Sequence, residues 1–254
     1  MKHIIITGAS KGLGEAIAEG AISSYDYVWC ISRSESEKLS STNPSAYHFL
    51  SADLGKGEQV DSCLQQLWEQ IDVSVATAIH LVNNAASLSP IGLAGHTDRV
   101  SSIRTSIKLN VDAVITFCEY FLKKTVKISL DKRILNISSG AGRKDYPAWS
   151  VYCATKAAVD RYSSCVAEEQ KDAFTPTKIV SLAPGVIATD MQALIRSQKK
   201  EDFPLLDRFI KLKEDGKLWE PSYAASLLLG FLQHASFGQE PLADLRDWEG
   251  QLSS

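Results

Sequence analysis

Six short apolar runs that alternate with longer amphipathic segments constrain the fold of this chain more than any other feature. The runs cover 3–7, 27–31, 47–52, 78–83, 133–138 and 178–183, and the helical segments cover 12–23, 56–70, 98–125, 149–170 and 221–234. This alternation predicts βαβ units and a parallel sheet. The runs are rich in β-branched residues, as strands covered on both faces are. We therefore predict an α/β fold, a single doubly wound domain over 1–254 with about seven parallel strands and helices on both faces.

Charge and hydropathy argue against two classes of function. The 254 residues carry a formal net charge of −3, and Lys and Arg are scattered, so the sequence offers no basic surface for a nucleic acid. No apolar run approaches the length that crosses a membrane, and the start MKHIIITGAS passes into a strand and a loop rather than a leader peptide. We expect a cytoplasmic protein with no nucleic-acid or membrane partner.

The cysteines and histidines show no pattern of a disulfide framework or a metal site. Five cysteines occur without a Cys-x-x-Cys pair: Cys30, Cys63, Cys118, Cys153 and Cys165. An odd, widely spaced set is typical of reduced thiols. The five histidines are equally dispersed, so we predict no metal.

The stretch IIITGASKGLGEAIA passes from a strand through a glycine-rich turn into a helix. Glycines let the backbone turn sharply and approach a pyrophosphate, while the following helix presents free N–H groups and the positive end of its dipole. A hydroxyl and a lysine stand within the same turn. We therefore predict a nucleotide-binding loop that consists of Gly8, Ser10, Lys11, Gly12, Leu13 and Gly14.

The end of the second strand favours one nucleotide over the other. An NAD site usually places an acid there to hold the ribose 2′-hydroxyl. Here the sequence reads CISRSESEK, with Ser32 and Arg33 at that point and no acid before Glu35, which we expect to face solvent. Since arginine pairs well with a 2′-phosphate and a carboxylate repels it, we predict NADPH/NADP as the cofactor, bound by Ser32 and Arg33.

The stretch AWSVYCATKAA places Tyr152 and Lys156 one helical turn apart. Residues four apart on a helix are neighbours, and an ammonium beside a phenol lowers the pKa of the phenol. The pair is therefore compatible with a proton donor. A Tyr-x-x-x-Lys spacing also occurs by chance on solvated helix faces, so the spacing alone leaves both interpretations open.

Four motifs together extend this pattern. With the glycine loop, LVNNAA, LNISSGAG and YCATK, the chain resembles the short-chain dehydrogenase/reductase family from Ile4 to about Met191. The resemblance implies a Rossmann domain that binds NADP(H). It also implies four catalytic residues: Asn110, Ser139, Tyr152 and Lys156.

The resemblance assigns a role to each of the four. Tyr152 would give the proton to the ketone oxygen, and Ser139 would hydrogen-bond that oxygen. Lys156 would support the phenolate and hold the nicotinamide ribose, while Asn110 would position a water that resupplies protons.

The family's other motifs imply further cofactor contacts. An Asp-Leu pair touches the adenine, an Asn-Asn-Ala segment over 83–85 supports the sheet behind the ribose, and a Pro-Gly-x-x-x-Thr segment surrounds the nicotinamide. Ala86 stands where the family usually has glycine. On this basis the remaining cofactor residues are Asp53, Leu54, Asn83, Ala85, Tyr152, Lys156, Pro184, Gly185, Ile187 and Thr189.

Within the family, the stretches around 136–158, 182–197 and 212–221 are similar to reductases of vicinal diketones, of the benzil to (S)-benzoin type. They are also similar to reductases of the pterin side-chain ketone, which is the first alternative substrate. A second alternative is a non-catalytic NADPH sensor, but such proteins usually lack the Tyr or the Lys. The resemblance implies these substrate residues: Ser139, Tyr146, Trp149, Tyr152 and Asp244.

Three assignments have open alternatives. Tyr146 and Trp149 would form an aromatic wall of the pocket or pack against a neighbouring segment. Asp244 would anchor a pterin ring or be one of several surface carboxylates. The charged, amphipathic segment 191–221 would be a substrate lid or a peripheral helix pair.

The family also implies a homo-oligomer, a dimer or a tetramer, in which the long helices pair across a two-fold axis. We expect outward apolar residues on 98–125 and 149–170 to serve such an interface. They are Val114, Phe117, Phe121, Val159 and Val166.

Overall fold

A computed structural model of the chain describes residues 1–42, 45–95 and 99–252. Its strands are β1 (Lys2–Thr7), β2 (Tyr27–Ser32), β3 (Tyr47–Ser51), β4 (Ala78–Asn83), β5 (Asp131–Ile137), β6 (Lys178–Ala183) and β7 (Leu242–Asp244). They form one sheet in the order β3-β2-β1-β4-β5-β6-β7, and every neighbouring pair of strands is parallel. The predicted fold class is therefore confirmed.

Helices cover both faces of this sheet. Within the described residues they are α1 (Gly12–Ala21), α2 (Glu37–Thr42), α3 (Gly57–Gln70), α4 (Val100–Ile107), α5 (Ala113–Thr125), α6 (Ser150–Glu169), α7 (Asp190–Arg196), α8 (Leu206–Glu214), α9 (Pro221–Gln233) and α10 (Glu249–Leu252). None of these described helices is long and apolar enough to cross a membrane.

Strand β1 shows how the sequence builds two cores. Ile4 and Ile6 lie in a buried cluster with α1 and α9, whereas Ile5 lies in a second cluster with α3 and α5. Successive side chains of a strand point to opposite faces, so a run of isoleucines supplies both cores at once. Burial of each such side chain is worth about 1.5–3 kcal/mol. The strand is thereby fixed from both sides, and the loop after Thr7 starts from a rigid support.

The predicted helix 98–125 is interrupted in the structure. Its first residue lies outside the described residues, and a π-helical turn over Lys108–Asp112 separates α4 from α5. A π turn inserts one residue into the helical repeat and often marks a functional position. Here it turns Asn110 inward, and that side chain is fully buried.

We predicted that five apolar residues on these helices face outward and serve an oligomer interface, and this prediction is wrong. Val114, Phe117, Phe121, Val159 and Val166 are all at least nine-tenths buried within this chain. They pack in the same core as α3 and the sheet. Apolar periodicity identifies the buried face of a helix, and in α5 and α6 that face is directed to the chain's own sheet.

Segment 191–221 contains two short helices, α7 and α8, and its apolar side faces the chain. Phe203, Leu206 and Phe209 are buried, whereas Lys200 and Asp207 form an exposed ion pair with Nζ 2.5 Å from Oδ2. This is the amphipathic arrangement predicted from the sequence.

Candidate active site

The candidate site lies at the carboxyl edge of the sheet. Here β1 is flanked by β2 on one side and β4 on the other, so the chain leaves β1 and β4 in opposite directions. Ligands of doubly wound sheets bind at such a switch point. The glycine loop follows β1, Asn83 ends β4, and Ser139 and Pro184 follow β5 and β6. The topology therefore brings four separate motifs to one edge.

Glycine is required at the loop after β1 for two different reasons. Gly8 and Gly12 have φ values of 70° and 62°, a region that L side chains rarely adopt. At Gly14 the reason is space, since a Cβ atom there would lie 2.2 Å from the carbonyl oxygen of Gly8. The start of α1 is thus packed directly against the loop.

Asn84, which the sequence analysis placed in the Asn-Asn-Ala motif without listing it among the site residues, holds this loop in place. Its Nδ2 donates to the carbonyl oxygens of Thr7 and Gly8, each at 3.1 Å, and its backbone N donates to Oγ1 of Thr7 at 3.0 Å. The side chain of Asn83 points instead into the core, where Nδ2 donates to Oδ1 of Asn136 at 2.9 Å. The second asparagine of NNAA was the available signal, but only tertiary structure shows which one faces the loop.

The start of α1 fits an anion. No side chain caps this helix, so its first N–H groups remain for a ligand, and the helix dipole adds positive potential there. Nζ of Lys11 lies 2.6 Å from Oδ2 of Asp190 at the start of α7, and both side chains are largely exposed. Such exposed pairs contribute little to stability, so Lys11 is held near the loop without being fixed. The residues present therefore fit the pyrophosphate of a dinucleotide.

The end of β2 presents a cation and no acid. Arg33 is exposed, Ser32 is buried with its Oγ donating to the carbonyl of Ser34 at 2.8 Å, and Glu35 is exposed. In the neighbouring turn, Oδ1 of Asp53 accepts from the backbone N of Gly55 at 3.1 Å, whereas Leu54 is buried in the core with α3. Asp53 thus lies at the edge, and the side chain of Leu54 lies behind it.

The segment after β6 is held by a tryptophan that the sequence analysis also missed. Gly185 has a φ of 82°, and a Cβ atom on it would lie 3.2 Å from the ring of Trp219. The backbone N of Trp219 donates to Val186 at 2.9 Å, and Trp219 pairs with Ile187 in a parallel bridge. The same segment brings Thr189 to the glycine loop, with its Cγ2 3.3 Å from a Cβ position on Gly12. Two motifs far apart in sequence therefore face one cleft.

Tyr152 and Ser139 meet at the centre of this edge. Tyr152 on α6 is buried, with 6% of its surface exposed, and the Ser139 hydroxyl lies near its phenol. Burial raises the pKa of Tyr152 to about 12, and the polar side chain of Ser139 opposes that rise. Oγ of Ser139 also accepts from the backbone N of Ala141 at 3.1 Å.

From the sequence we expected Lys156 to lower the pKa of Tyr152, but in the structure it does not. Its Nζ donates to the carbonyl oxygen of Ile137 at 2.7 Å and lies 5.8 Å from the centre of the Tyr152 ring. Burial lowers the pKa of Lys156 itself to about 8, with Asp160 acting in the opposite direction. Burial shifts both side chains towards their neutral forms, since a low-dielectric environment disfavours charge, but Lys156 stays charged below about pH 8.

Asn110 is linked to the same helix through Thr155. Its Nδ2 donates to the carbonyl of Ser87 at 2.7 Å and to Oγ1 of Thr155 at 3.2 Å, and Oγ1 of Thr155 donates to the carbonyl of Tyr152 at 2.8 Å. The backbone N of Ser87 donates to Oδ1 of Asn110 at 2.8 Å. The structure thus brings all four predicted catalytic residues to one buried region.

An apolar cluster surrounds Tyr152. The ring of Trp149 lies 5.1 Å from Phe203 and from Phe209 and 5.8 Å from Tyr152, between ring centres, and Tyr146 stacks on its other side. Of the two interpretations of these aromatics, the structure favours packing against segment 191–221. The buried members of this cluster are Leu88, Ala141, Ala148, Trp149, Tyr152, Ile195, Phe203, Leu206 and Phe209.

Asp244 ends β7 and is held there by an ion pair. Its carboxylate is held by Arg246, with Nη2 2.5 Å from Oδ2, and this arginine lowers the pKa of Asp244. Asp244 lines a cavity of about 240 Å³ at the β7 edge of the sheet, together with Arg143 and residues between Phe231 and Trp248. The lining residues of this cavity do not include Tyr152.

Comparisons with known proteins extend over nearly the whole chain. A family model described as short chain dehydrogenase matches residues 2–200. Benzil reductase ((S)-benzoin forming) of Bacillus cereus is 40% identical over 242 residues, which cover 94% of this chain and 97% of that protein. Sepiapterin reductase of Mus musculus is 32% identical and covers 96% of both chains. The solved structure of ElxO with NADP bound has a TM-score of 0.77 at 26% identity and covers 99% of that chain and 100% of this one.

Proposed function

The chain belongs to the short-chain dehydrogenase family of oxidoreductases, and from that premise we propose that it is an NADPH-dependent carbonyl reductase. It reduces one carbonyl of a vicinal diketone, of the benzil to (S)-benzoin type, with Tyr152 as the proton donor. The observation that carries this proposal is the meeting of Tyr152, Ser139 and Lys156 in a buried, largely apolar site. We propose one NADP(H)-binding Rossmann domain over 1–254, with 191–221 as its substrate lid.

The cofactor proposal is supported by charge at the end of β2. Arg33 offers a guanidinium to a 2′-phosphate, and Ser32 stands where an NAD site would have an acid. The ElxO structure, with 26% identity, contains NADP. When bound, NADPH supplies the hydride that reduces the carbonyl carbon.

The protein's own part of the reaction is to hold the ketone oxygen and deliver a proton to it. Ser139 Oγ donates a hydrogen bond to that oxygen, which stabilises the negative charge that develops there. Tyr152 gives the proton, because its raised pKa keeps the phenol protonated until charge appears beside it. Lys156 in its charged form stabilises the phenolate that remains, and Asn110 supports the helix backbone at Tyr152 through Thr155.

The substrate proposal is supported by the aromatic side chains near Tyr152. Trp149 and Tyr146 lie under segment 191–221, and with that segment open they would offer flat apolar surfaces, which suit a ligand with two phenyl rings. The Bacillus cereus relative is described as reducing benzil. We propose that Tyr146 and Trp149 contact the substrate where 191–221 opens over Tyr152.

A second candidate is reduction of the side-chain ketone of a pterin, which the likeness to the mouse sepiapterin reductase supports. In that case Asp244 would have to bind the pterin ring. We rank this candidate second, because Arg246 already pairs with the carboxylate of Asp244. A non-catalytic NADPH sensor ranks third, since such a protein has no need of Ser139, Tyr152 and Lys156 together.

We also propose a cytoplasmic homo-oligomer, a dimer or a tetramer, without a nucleic-acid or membrane partner. Thiols support the cytoplasmic location: Cys30, Cys63, Cys118, Cys153 and Cys165 are all free in the structure. The net charge of −3 supports the absence of a nucleic-acid partner.

The test is oxidation of NADPH by the protein with benzil and with sepiapterin in parallel, and with NADH as the cofactor control. We expect turnover of benzil with NADPH and an (S)-hydroxyketone on chiral chromatography. Faster turnover of sepiapterin would favour the second candidate. Tight NADPH binding with no turnover of either ketone would contradict the proposal and leave the sensor.

A further inference from the structure

Arg143 connects the turn that carries Ser139 to three other elements of the fold. Its Nε donates to Oδ2 of Asp160 on α6 at 3.0 Å, its Nη2 to the carbonyl of Ser181 on β6 at 3.2 Å, and its Nη1 to the carbonyl of Ala243 on β7 at 3.1 Å. A planar guanidinium presents several donors in a fixed arrangement, which a lysine does not. One side chain thus fixes the end of this turn relative to α6 and the sheet.

The turn itself transmits this position to Ser139. The backbone N of Gly142 donates to the carbonyl of Ser139 at 3.0 Å, and the backbone N of Arg143 donates to that of Gly140 at 3.1 Å. Oγ of Ser139 accepts from the backbone N of Ala141 within the same turn. A change in the position of Arg143 would therefore also displace the hydroxyl of Ser139, which faces Tyr152.

Asp160 is the other half of the connection, one helical turn after Lys156. Its Oδ1 accepts from Oγ of Ser181 at 2.7 Å, and its side chain is only 8% exposed. The turn lies directly on this part of α6: a Cβ atom on Gly142 would be 2.9 Å from Oδ2 of Asp160 and 3.0 Å from the backbone of Lys156. Both carboxylate oxygens are thus held by partners on other elements.

The charge of Asp160 also acts on Lys156. Lys156 is buried, with a carbonyl oxygen as the partner of its Nζ and the neutral Tyr152 ring beside it. Burial lowers the pKa of Lys156, and the negative charge of Asp160 raises it. Arg143 and Ser181 are the groups that face Asp160 from the other elements, and the guanidinium of Arg143 pairs directly with its carboxylate.

We propose that Arg143 and Asp160 are positioning residues of the reductase, which together hold the Ser139 hydroxyl against Tyr152 and support the positive charge of Lys156. Neither residue contacts the ketone in this account. The proposal rests on the proposed function for its kinetic readouts, and the sequence analysis did not assign either residue.

A double-mutant cycle tests the positioning of Ser139. Arg143→Gln should lower kcat about tenfold or more and leave the Kd for NADPH within about twofold. Adding Ser139→Ala to Arg143→Gln should then cost much less than Ser139→Ala costs in the wild type, because the hydroxyl is already displaced. Arg143→Lys should recover only part of kcat. Full additivity of the two substitutions would overturn the positioning of Ser139.

A matched control separates this effect from general loss of stability. Arg133 at the opposite edge of the sheet also pairs with an aspartate and donates to two backbone carbonyls, those of Leu232 and His234. Arg133→Gln should lower the melting temperature in the same way as Arg143→Gln. It should show no coupling to Ser139→Ala.

Asp160→Asn tests the electrostatic part and keeps the shape of the side chain. In the wild type and in this variant, the pKa of Lys156 is read from NMR titration of ¹³C-labelled lysines, with Lys156→Arg for assignment. We expect the variant pKa to be lower by about half a unit or more, and the high-pH limb of the reduction rate to move with it. An unchanged Lys156 pKa would overturn this part. The NMR titration does not depend on turnover. It therefore tests the effect of Asp160 on Lys156 even if the wild type reduces no ketone.

Discussion

At the residue scale, Tyr152 and Lys156 are shifted in opposite directions by the same burial. The pKa of Tyr152 is raised to about 12 and that of Lys156 is lowered to about 8. Across the neutral and mildly alkaline range the phenol therefore keeps its proton, and Lys156 is the group that titrates. The sequence predicted the pair from its spacing. It did not predict the shifts, because burial depends on how segment 191–221 packs over α6.

The first prediction concerns the pH dependence of the reduction. Lys156 is charged below its pKa, so the rate should be constant at low pH and fall as pH rises through about 8, when the phenolate loses its support. Lys156→Arg keeps the positive charge at every pH, so its rate should be lower overall but should not fall between about pH 7 and pH 9. The measurement is kcat/KM for benzil against pH. If kcat/KM of Lys156→Arg also fell near pH 8, the titrating group would be one other than Lys156.

The second prediction concerns cofactor choice. Arg33→Ser should lower kcat/KM for NADPH by about tenfold to a hundredfold, because a charge-assisted hydrogen bond to the 2′-phosphate is lost. The value for NADH should stay within about twofold, since NADH has no such phosphate. Arg33→Lys keeps the charge, so its kcat/KM for NADPH should lie between those of the wild type and Arg33→Ser. An equal loss with both cofactors would show that Arg33 acts on something other than the phosphate.

At the element scale, the glycine loop is fixed by contact with α1 as well as by its turn. Gly14→Ala should weaken NADPH binding and lower the free energy of unfolding, because its Cβ would lie 2.2 Å from the carbonyl oxygen of Gly8. Gly57→Ala is the matched control at the start of α3, where a Cβ meets nothing within 4 Å. It should bind NADPH as the wild type does. Calorimetric titration with NADPH measures the affinity of each variant for the cofactor. Equal affinities of Gly14→Ala and Gly57→Ala would contradict the close packing of Gly14 against the loop.

Segment 191–221 gives the next prediction at this scale. Phe203 is fully buried, and its ring centre lies 5.1 Å from that of Trp149. Phe203→Ala should leave a cavity between the segment and α6, which typically costs about 3–5 kcal/mol, and should raise KM for benzil more than the Kd for NADPH. Phe174→Ala, at a fully exposed phenylalanine, should change neither value. An unchanged KM in a folded Phe203→Ala protein would argue against a lid.

The sequence predicted these elements unequally, for physical reasons. The six short apolar runs predicted β1 to β6, of which the central strands β1, β4 and β5 are covered on both faces. The three residues of β7, Leu242–Asp244, form a short and partly exposed edge strand, so no apolar run marks them. The π turn at 108–112 preserves helical periodicity on both sides and is invisible in the pattern. Asn84 and Trp219 act through contacts with distant segments, which local sequence does not record.

At the scale of the whole molecule, the resemblance inferred from four motifs is confirmed. The family model matches 2–200, and the relatives extend over at least 94% of the chain. The expected oligomer face was wrong in its residues because amphipathic periodicity does not distinguish a chain's own core from a partner. Val114 and Phe117 belong to the monomer's core.

Acid stability is a prediction for the whole fold. His3 is buried, accepts from Nε1 of Trp29 at 3.2 Å, and has its pKa lowered by burial from 6.5 to about 4. A lowered folded-state pKa means that stability is fully present above about pH 6.5 and is lost as pH falls towards 4, because the unfolded chain binds the proton first. From pH 7 to pH 5 this histidine should account for a loss of about 2 kcal/mol. His3→Gln should lose correspondingly less in urea unfolding, and an equal loss would assign the acid sensitivity elsewhere.

The most direct measurement is the rate of NADPH oxidation with benzil by the wild type and by Tyr152→Phe, at matched saturation with NADPH. The phenylalanine keeps the ring packed against Trp149 and removes only the hydroxyl. We predict turnover by the wild type and a loss of at least about a hundredfold in kcat in the variant, with NADPH binding unchanged. A variant that reduces benzil at the wild-type rate would contradict the role of Tyr152 as proton donor. A wild type that binds NADPH and leaves benzil unchanged would contradict the proposed substrate.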